Sequence, residues 1–116
     1  MCDIRSDRKV LSSILKKNSF TRYPVFRGKP AKIEGYINIY ECLTHKQNFE
    51  TLDQFIYPIE WFNLEMNISN ALNQMQDKSL KIVTVFKRNI KGKNVPVGIV
   101  TMKDLVEEFL GELTSW

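Results

Sequence analysis

The same order of structural elements occurs twice along this sequence, and that repetition constrains the fold more than any other feature. In each half the hydrophobic pattern predicts a helix, a strand, a turn, a second strand and a closing helix. The second strand carries a glycine at an equivalent place in both halves, Gly35 and Gly98. A half of this length buries too little apolar surface to be stable alone, so we expect the two halves to share a core. The predicted fold class is α+β, with two βαββα-like halves packed sheet to sheet.

Helices are predicted where apolar residues recur on one helical face after a capping residue. Asp7 is a suitable N-cap for the first helix, which we expect to end at Asn18-Ser19. Asn67 is a suitable N-cap for the helix in the second half. The apolar faces are predicted to consist of Val10, Leu11, Ile14 and Leu15; of Ile68, Ala71, Leu72 and Met75; and, in the closing helix, of Leu105, Val106, Phe109, Leu110 and Leu113.

Strands are predicted where β-branched and aromatic residues cluster between turn residues. They lie at residues 22–26, 33–37, 80–86 and 95–100. A short helix is predicted from Asn38 to Leu43, a polar linker at residues 44–48 and an extended segment at residues 55–62. The predicted domains are therefore residues 1–48, the first half with its linker, and residues 49–116, the second half.

The composition excludes several classes of protein. The sequence has 116 residues, of which 43% are hydrophobic and 26% charged, as in ordinary globular domains. It contains no apolar run of the roughly 18–20 residues that a transmembrane helix needs, and its first residues lack the apolar core of a signal peptide. Cys2, Cys42 and His45 are the only cysteine and histidine residues in the sequence. A structural zinc site needs four such ligands at close spacing, so none is expected. We therefore expect a soluble cytoplasmic domain without a structural metal.

No set of residues has the arrangement of a catalytic site. His45 stands alone in a polar segment, and no serine or cysteine has a base near it in sequence, so an enzyme is not expected. The net charge of +4 has one local concentration, at Lys87–Lys93. These residues form either a solvated hairpin tip or a surface that attracts phosphates. A basic nucleic-acid-binding domain remains a remote alternative, since no helix-turn-helix, aromatic-basic strand motif or KH-type loop is visible.

The segment from Gly98 to Asp104 carries the strongest indication of chemistry. Thr101 and Asp104 have the spacing of a capping box, in which each side chain accepts a backbone N–H of the other residue. The same atoms suit a nucleotide, because a helix N-terminus binds phosphate and a carboxylate can accept the hydroxyl groups of a ribose. Gly98 would let a ligand approach the strand closely. Asn38 and Glu41 repeat the capping arrangement in the first half.

Residues 98–113, with the ending Val-Glu-Glu-Phe-Leu-Gly-Glu-Leu, resemble the end of the second CBS domain in the CorC/hemolysin-like and cyclin M families of ion transport-associated proteins. The segment Phe-Thr-Arg-Tyr-Pro-Val-Phe at residues 20–26 resembles a strand of their first CBS domain, and residues 33–37 resemble the strand after it. Residues 54–76 resemble the stretch between the domains. The resemblance covers nearly the whole chain.

This resemblance implies a CBS pair, or Bateman module, that binds an adenosine nucleotide such as ATP or AMP, with or without magnesium, in the cleft between its halves. In such modules the residues equivalent to Thr101 and Asp104 contact phosphate and ribose. The cyclin M relatives add Arg22 as a phosphate ligand, with Phe20 and Thr21 near the base. The resemblance also implies a homodimer and a regulatory role within a longer protein that has a membrane domain or a C-terminal domain.

Two departures from the family pattern limit these expectations. The first half has Asn38 and Glu41 where a nucleotide site would have Ser or Thr and Asp, so we expect that site to be empty or degenerate. Residues 86–93 replace an acidic turn that is common in the family. Arg22 could instead form a surface ion pair, and the whole module could be a structural dimerisation domain without a ligand.

Overall fold

The chain forms two compact units, Met1–Ile59 and Glu60–Trp116. The computed structural model describes residues 1–18 and 20–114, with side chains to Gly111. Each unit has the order strand, helix, strand, strand, helix, which confirms the α+β fold class and the βαββα pattern of each half. Ser19, at the predicted end of the first helix, lies outside the described residues, and so does the side chain of Leu113, on the predicted apolar face of the closing helix.

The first unit is built on a three-stranded sheet in the order β1-β2-β3. β1 pairs with β2 in parallel, and β2 pairs with β3 antiparallel. Its elements are β1 (Cys2–Asp3), α1 (Arg8–Lys17), β2 (Arg22–Phe26), β3 (Ile33–Asn38) and α2 (Ile39–Thr44), and a short 3-10 turn follows at Asp53–Phe55.

The second unit repeats this topology with the sheet order β4-β5-β6. β4 is parallel to β5, and β5 and β6 form an antiparallel hairpin. Its elements are β4 (Glu60–Asn63), α3 (Ile68–Asp77), β5 (Ile82–Arg88), β6 (Asn94–Thr101) and α4 (Met102–Thr114). Gly35 lies opposite Val25 and Gly98 lies opposite Val85, each beside a register shift in the neighbouring strand. The two glycines therefore occupy equivalent positions in the two sheets, as the sequence predicts.

Helix starts follow the predicted capping residues. The Asp7 carboxylate accepts the backbone N–H of Val10 at 3.0 Å, and the Asn67 side chain accepts that of Asn70 at 2.7 Å. These bonds satisfy donors that the first turn of a helix leaves without a partner. Both predicted N-caps are confirmed.

The predicted structure is wrong in the stretch of chain that joins the two units. The predicted extended segment 55–62 starts in the 3-10 turn, and only Glu60–Asn63 forms a strand. The first unit continues beyond the predicted boundary after residue 48, because Leu52 and Phe55 are buried in its core. The backbone of Tyr57 also pairs with β3. A tertiary contact decides this boundary, and the polar composition of residues 44–48 does not reveal it.

Each unit has its own hydrophobic core beneath its helices. The first core contains Cys2, Ile4, Leu11, Tyr23, Val25, Ile37, Ile39, Cys42, Leu52 and Phe55. The second contains Phe62, Ala71, Met75 and Val83, with Met66, Leu80, Val100, Met102 and Leu105 packed against it. Three residues of the predicted apolar faces are exposed: Val10 of α1 by 46%, and Val106 and Leu110 of α4 by 37% and 54%.

The two cysteines lie in the first core as free thiols. Burial raises the pKa of Cys42 to about 12 and also raises the pKa of Cys2. Because the thiolate is the reactive species, we expect neither cysteine to react with Ellman's reagent in the folded protein at about pH 8. Both should react within seconds in concentrated guanidinium. Rapid labelling of the native protein would show that the first core opens readily.

Candidate functional site

The junction between β6 and α4 holds the reciprocal cap that the sequence predicts. The Thr101 hydroxyl accepts the backbone N–H of Asp104 at 3.2 Å, and the Asp104 carboxylate accepts the backbone N–H of Thr101 at 3.4 Å. The backbone N–H of Met102 donates to the Lys81 carbonyl at 3.0 Å. Among the described residues no carbonyl outside the regular elements accepts the N–H of Lys103, which is one of the donors that a helix start leaves without an intrahelical partner. Asp104 itself is exposed.

Gly98 leaves the surface of β6 open three residues before this cap. A Cβ placed on Gly98 would meet no atom within 4 Å, and the residue is exposed. The neighbouring Val97 is 45% exposed. The backbone of β6 is therefore open to a ligand at Gly98, on the face of the strand that also carries Val100.

An apolar cavity of about 160 Å³ lies on the sheet face that the helices of the second unit cover. It is lined by Phe62, Asn63, Leu64, Met66, Ile68, Ala71, Val83, Val85, Val100 and Leu105. Strand alternation places Val100 on this face and Thr101 on the other. Asn63 is the one polar lining residue, and its side chain already accepts the backbone N–H of Glu65. We therefore assign the cavity to the core of the unit.

The first unit has a different arrangement at the equivalent junction. Asn38 caps α2, since its side-chain oxygen accepts the backbone N–H groups of Tyr40 at 3.0 Å and Glu41 at 3.4 Å. The prediction that Glu41 completes a capping box is wrong. Its carboxylate instead accepts the Tyr57 hydroxyl, at 2.7 and 2.9 Å to its two oxygens. That hydrogen bond raises the pKa of Tyr57 above its usual value.

In the first unit, Tyr57 covers β3, the strand that is equivalent to the open strand β6. Its ring stacks on Tyr36 with centroids 5.3 Å apart, and the two backbones exchange hydrogen bonds of 2.9 and 2.8 Å. A Cβ on Gly35 would overlap the Tyr57 carbonyl oxygen and the Ile56 side chain. Tyr57 could not be predicted from the sequence, because no local pattern links it to a carboxylate sixteen positions away. The first unit thus lacks the open strand of the second, and its carboxylate is bonded to Tyr57 rather than to the start of the helix.

Phe20, Thr21 and Arg22, the other predicted nucleotide contacts, lie together in the first unit where the chain enters β2. Phe20 is 63% exposed, and its ring is 6.1 Å from that of Tyr23. The Thr21 carbonyl accepts the backbone N–H of Ile39 at 2.9 Å. Arg22 opens β2, and it forms no ion pair with any described residue. The alternative role for Arg22, a surface ion pair, is therefore not observed.

Other classes of site find little support in the described part of the chain. No group of three or more His, Cys, Asp and Glu side chains there could hold a metal ion. None of the described helices is long and apolar enough to cross a membrane. His45 packs edge-on against Phe55 at 5.1 Å, which gives this lone histidine a structural role.

Comparison with known proteins identifies the fold. The sequence profile of the CBS domain family matches residues 56–111. By this match the segment resembles a CBS domain. The CBS domain structure of a Clostridium difficile protein is 27% identical and superposes with a TM-score of 0.82, covering 97% of this chain and 85% of that one. Because that superposition spans both units, the fold of the whole chain is that of a CBS module.

Two further comparisons show similarity to part of a longer protein and to the CBS domain of a transporter. The UPF0053 protein MG146 of Mycoplasma genitalium is 29% identical over 115 residues, which cover 97% of this chain but only 26% of the relative. The CBS domain of a bacterial CNNM/CorC family Mg²⁺ transporter, solved in complex with ATP, is 18% identical with a TM-score of 0.80 and shares the fold. That superposition covers 95% of this chain and 78% of the other. The predicted resemblance to CBS modules of CorC-type and hemolysin-like proteins is confirmed.

Proposed function

We propose that the chain is a regulatory CBS module that binds an adenosine nucleotide, ATP or AMP, at the start of α4. In this proposal Asp104 binds the ribose, Thr101 binds phosphate and Gly98 lets the ligand approach β6. Phe20, Thr21 and Arg22 remain proposed contacts to base and phosphates, and magnesium can accompany the nucleotide. The parent would be a hemolysin-like or CorC-type protein associated with magnesium or cobalt transport.

The difference between the two units carries this proposal. In the second unit the carboxylate of Asp104 is exposed and β6 is open at Gly98. In the first unit Tyr57 takes the carboxylate of Glu41 and covers the strand at Gly35. A structural cap alone would not require an open strand beside it. The contrast supports one nucleotide site per chain, and the ATP complex of the CNNM/CorC-family neighbour supports the choice of ligand.

Capping α4 and binding a nucleotide are compatible uses of the same two side chains. The Asp104 carboxylate uses Oδ2 for the cap, so Oδ1 is left to accept a ribose hydroxyl. Thr101 uses its oxygen as an acceptor, and its O–H can still donate to a phosphate oxygen. The Lys103 N–H and the positive end of the helix dipole add to the attraction for phosphate.

Regulation then requires that the nucleotide favours one arrangement of the module over another. A ligand shifts such an equilibrium only by its difference in affinity for the two states. A linked domain of the parent protein would respond to that shift. The whole-protein activity is part of this proposal, because the chain spans only 26% of the curated relative.

Asp104→Ala tests the site, with Asp7→Ala as its matched control. A nucleotide at 100 times its Kd should stabilise the wild-type protein by about 2.7 kcal/mol, read as a rise in melting temperature. Asp104→Ala should abolish that rise. Each variant also loses a helix cap, which costs roughly 1 kcal/mol. Asp7→Ala should therefore melt earlier but keep the full nucleotide response.

Titration calorimetry with ATP, ADP and AMP, each with and without magnesium, measures binding directly. We expect heat from at least one nucleotide and a stoichiometry near one per chain. No heat from any of the three would refute nucleotide binding. An equal loss of response in both variants would mean that the response reports helix stability rather than contact with Asp104.

The exposed side of α4 supports a homodimer as the partner of this module, and dimerisation without a ligand is the second candidate function. Val106 and Leu110, one turn apart, are 37% and 54% exposed. Apolar residues repeated along one face suit a self-complementary contact between two copies. Light scattering should give twice the chain mass, and a V106E/L110E variant should give the mass of one chain.

A further inference from the structure

The β5–β6 hairpin projects a cluster of cations that the proposed nucleotide site does not use. We define the basic hairpin as residues 87–95, comprising the end of β5, the turn and the start of β6. Lys87, Arg88, Lys91 and Lys93 are all exposed, and no described carboxylate forms an ion pair with any of them. The sequence has no Asp or Glu from Lys78 to Lys103, so no residue of the hairpin or of its flanking strands neutralises these charges.

Ile90 stands at the tip of the basic hairpin and is fully exposed. Turns favour Gly, Asn, Asp, Ser and Pro, and a β-branched apolar residue is unusual at such a position. Hydrogen bonds also fix the backbone of the turn around Ile90. The Asn89 side chain accepts the backbone N–H groups of Lys91 at 3.0 Å and Lys93 at 2.9 Å, and Gly92 has a φ of 78° that closes the turn. The hairpin therefore presents one aliphatic side chain among four cations, at the tip of a hydrogen-bonded turn.

We propose that the basic hairpin docks the protein on an anionic membrane surface. Lysine and arginine side chains near such a surface are attracted to its anionic headgroups, and clusters of four or more are typical of this recognition. The Ile90 side chain inserts among the lipids, where an apolar group leaves water. Four cations around one aliphatic tip match a surface that is anionic outside and apolar within.

The exposed Ile90 side chain favours a membrane over a nucleic acid as the binding partner of the basic hairpin. Both are polyanions and would attract the four cations. Binding to single-stranded nucleic acid uses aromatic side chains on which bases stack, and none lies within residues 87–95. An exposed isoleucine adds nothing to a phosphate backbone but gains by entering lipid. The composition of the hairpin thus favours the membrane surface.

Sedimentation with lipid vesicles tests the proposal on the full chain. We expect binding to phosphatidylcholine vesicles with about one-third phosphatidylglycerol, and no binding to pure phosphatidylcholine. Neutralising the hairpin should weaken binding at least about a hundredfold. Ile90→Ser should weaken it about tenfold while keeping the charge. The neutralised variant is K87Q/R88Q/K91Q/K93Q.

A second variant removes the same charge from exposed lysines of the first unit, K9Q/K29Q/K32Q/K46Q. It should bind vesicles far better than the hairpin variant, and melting curves should show that both are folded. Equal losses in the two variants would mean that net charge, not the hairpin, drives binding, and would overturn the proposal. So would an absence of vesicle binding. Tight binding to an RNA oligonucleotide that is unaffected by Ile90→Ser would assign the hairpin to nucleic acid instead.

Discussion

Gly35→Ala should lower the free energy of unfolding by about 3 kcal/mol and the melting temperature by roughly 10 °C. The added Cβ would overlap the Tyr57 carbonyl oxygen and the Ile56 side chain. Backbone atoms cannot rotate away as a flexible side chain can. Tyr57 would have to move, and the two backbone hydrogen bonds that it exchanges with Tyr36 would be lost. Urea denaturation followed by circular dichroism measures the change.

Gly98→Ala is the matched control for this prediction, because it makes the same change at the equivalent position of the second unit. A Cβ there meets open space, so we expect stability to change by no more than about 0.5 kcal/mol. The pair separates a steric effect from the general effect of replacing a strand glycine. Equal destabilisation by the two substitutions would contradict the assigned role of Tyr57.

Leu11→Ala should be comparably destabilising, by about 3 kcal/mol, through a different mechanism. Leu11 is fully buried in the first core, among Val25, Ile37 and other apolar residues. Its truncation removes buried apolar surface and leaves a cavity that the surrounding residues fill only in part. Thermal or chemical denaturation should therefore show a large loss of stability, even though alanine is the better helix former.

Val10→Ala provides the comparison on the same helix. Val10 is the preceding residue, but it is 46% exposed, and we expect its truncation to change stability by no more than about 0.5 kcal/mol. A similar cost for Val10→Ala and Leu11→Ala would show that the apolar stripe of α1 is buried as a whole, as the sequence pattern alone suggests.

The features that the sequence predicted correctly depend on residues close together in the chain. The caps at Asp7 and Asn67 and the reciprocal pair Thr101–Asp104 each join positions three apart. The strands 22–26 and 95–100 are bounded by nearby turn residues. Such patterns follow from local backbone geometry, so a single sequence is sufficient to read them.

The features that could not be predicted from the sequence are those in which distant segments of the chain meet. β1 has only two residues, and its partner Val25 lies far along the chain, so periodicity could not reveal it. The role of Glu41 depends on Tyr57, which reaches it only after the chain has passed through the core at Leu52 and Phe55. The end of the first unit at Ile59 has the same cause.

Hydrophobic periodicity and capping act over a few neighbouring residues, so they were enough to predict the α+β class, the repeated order of helix, strand, strand and helix, and the cap at the start of α4. Only the tertiary structure decided that the two halves differ as candidate sites. Tyr57 closes the first and Gly98 leaves the second open. That difference arises from which backbone packs against each glycine, and such packing depends on the folded path of the whole unit.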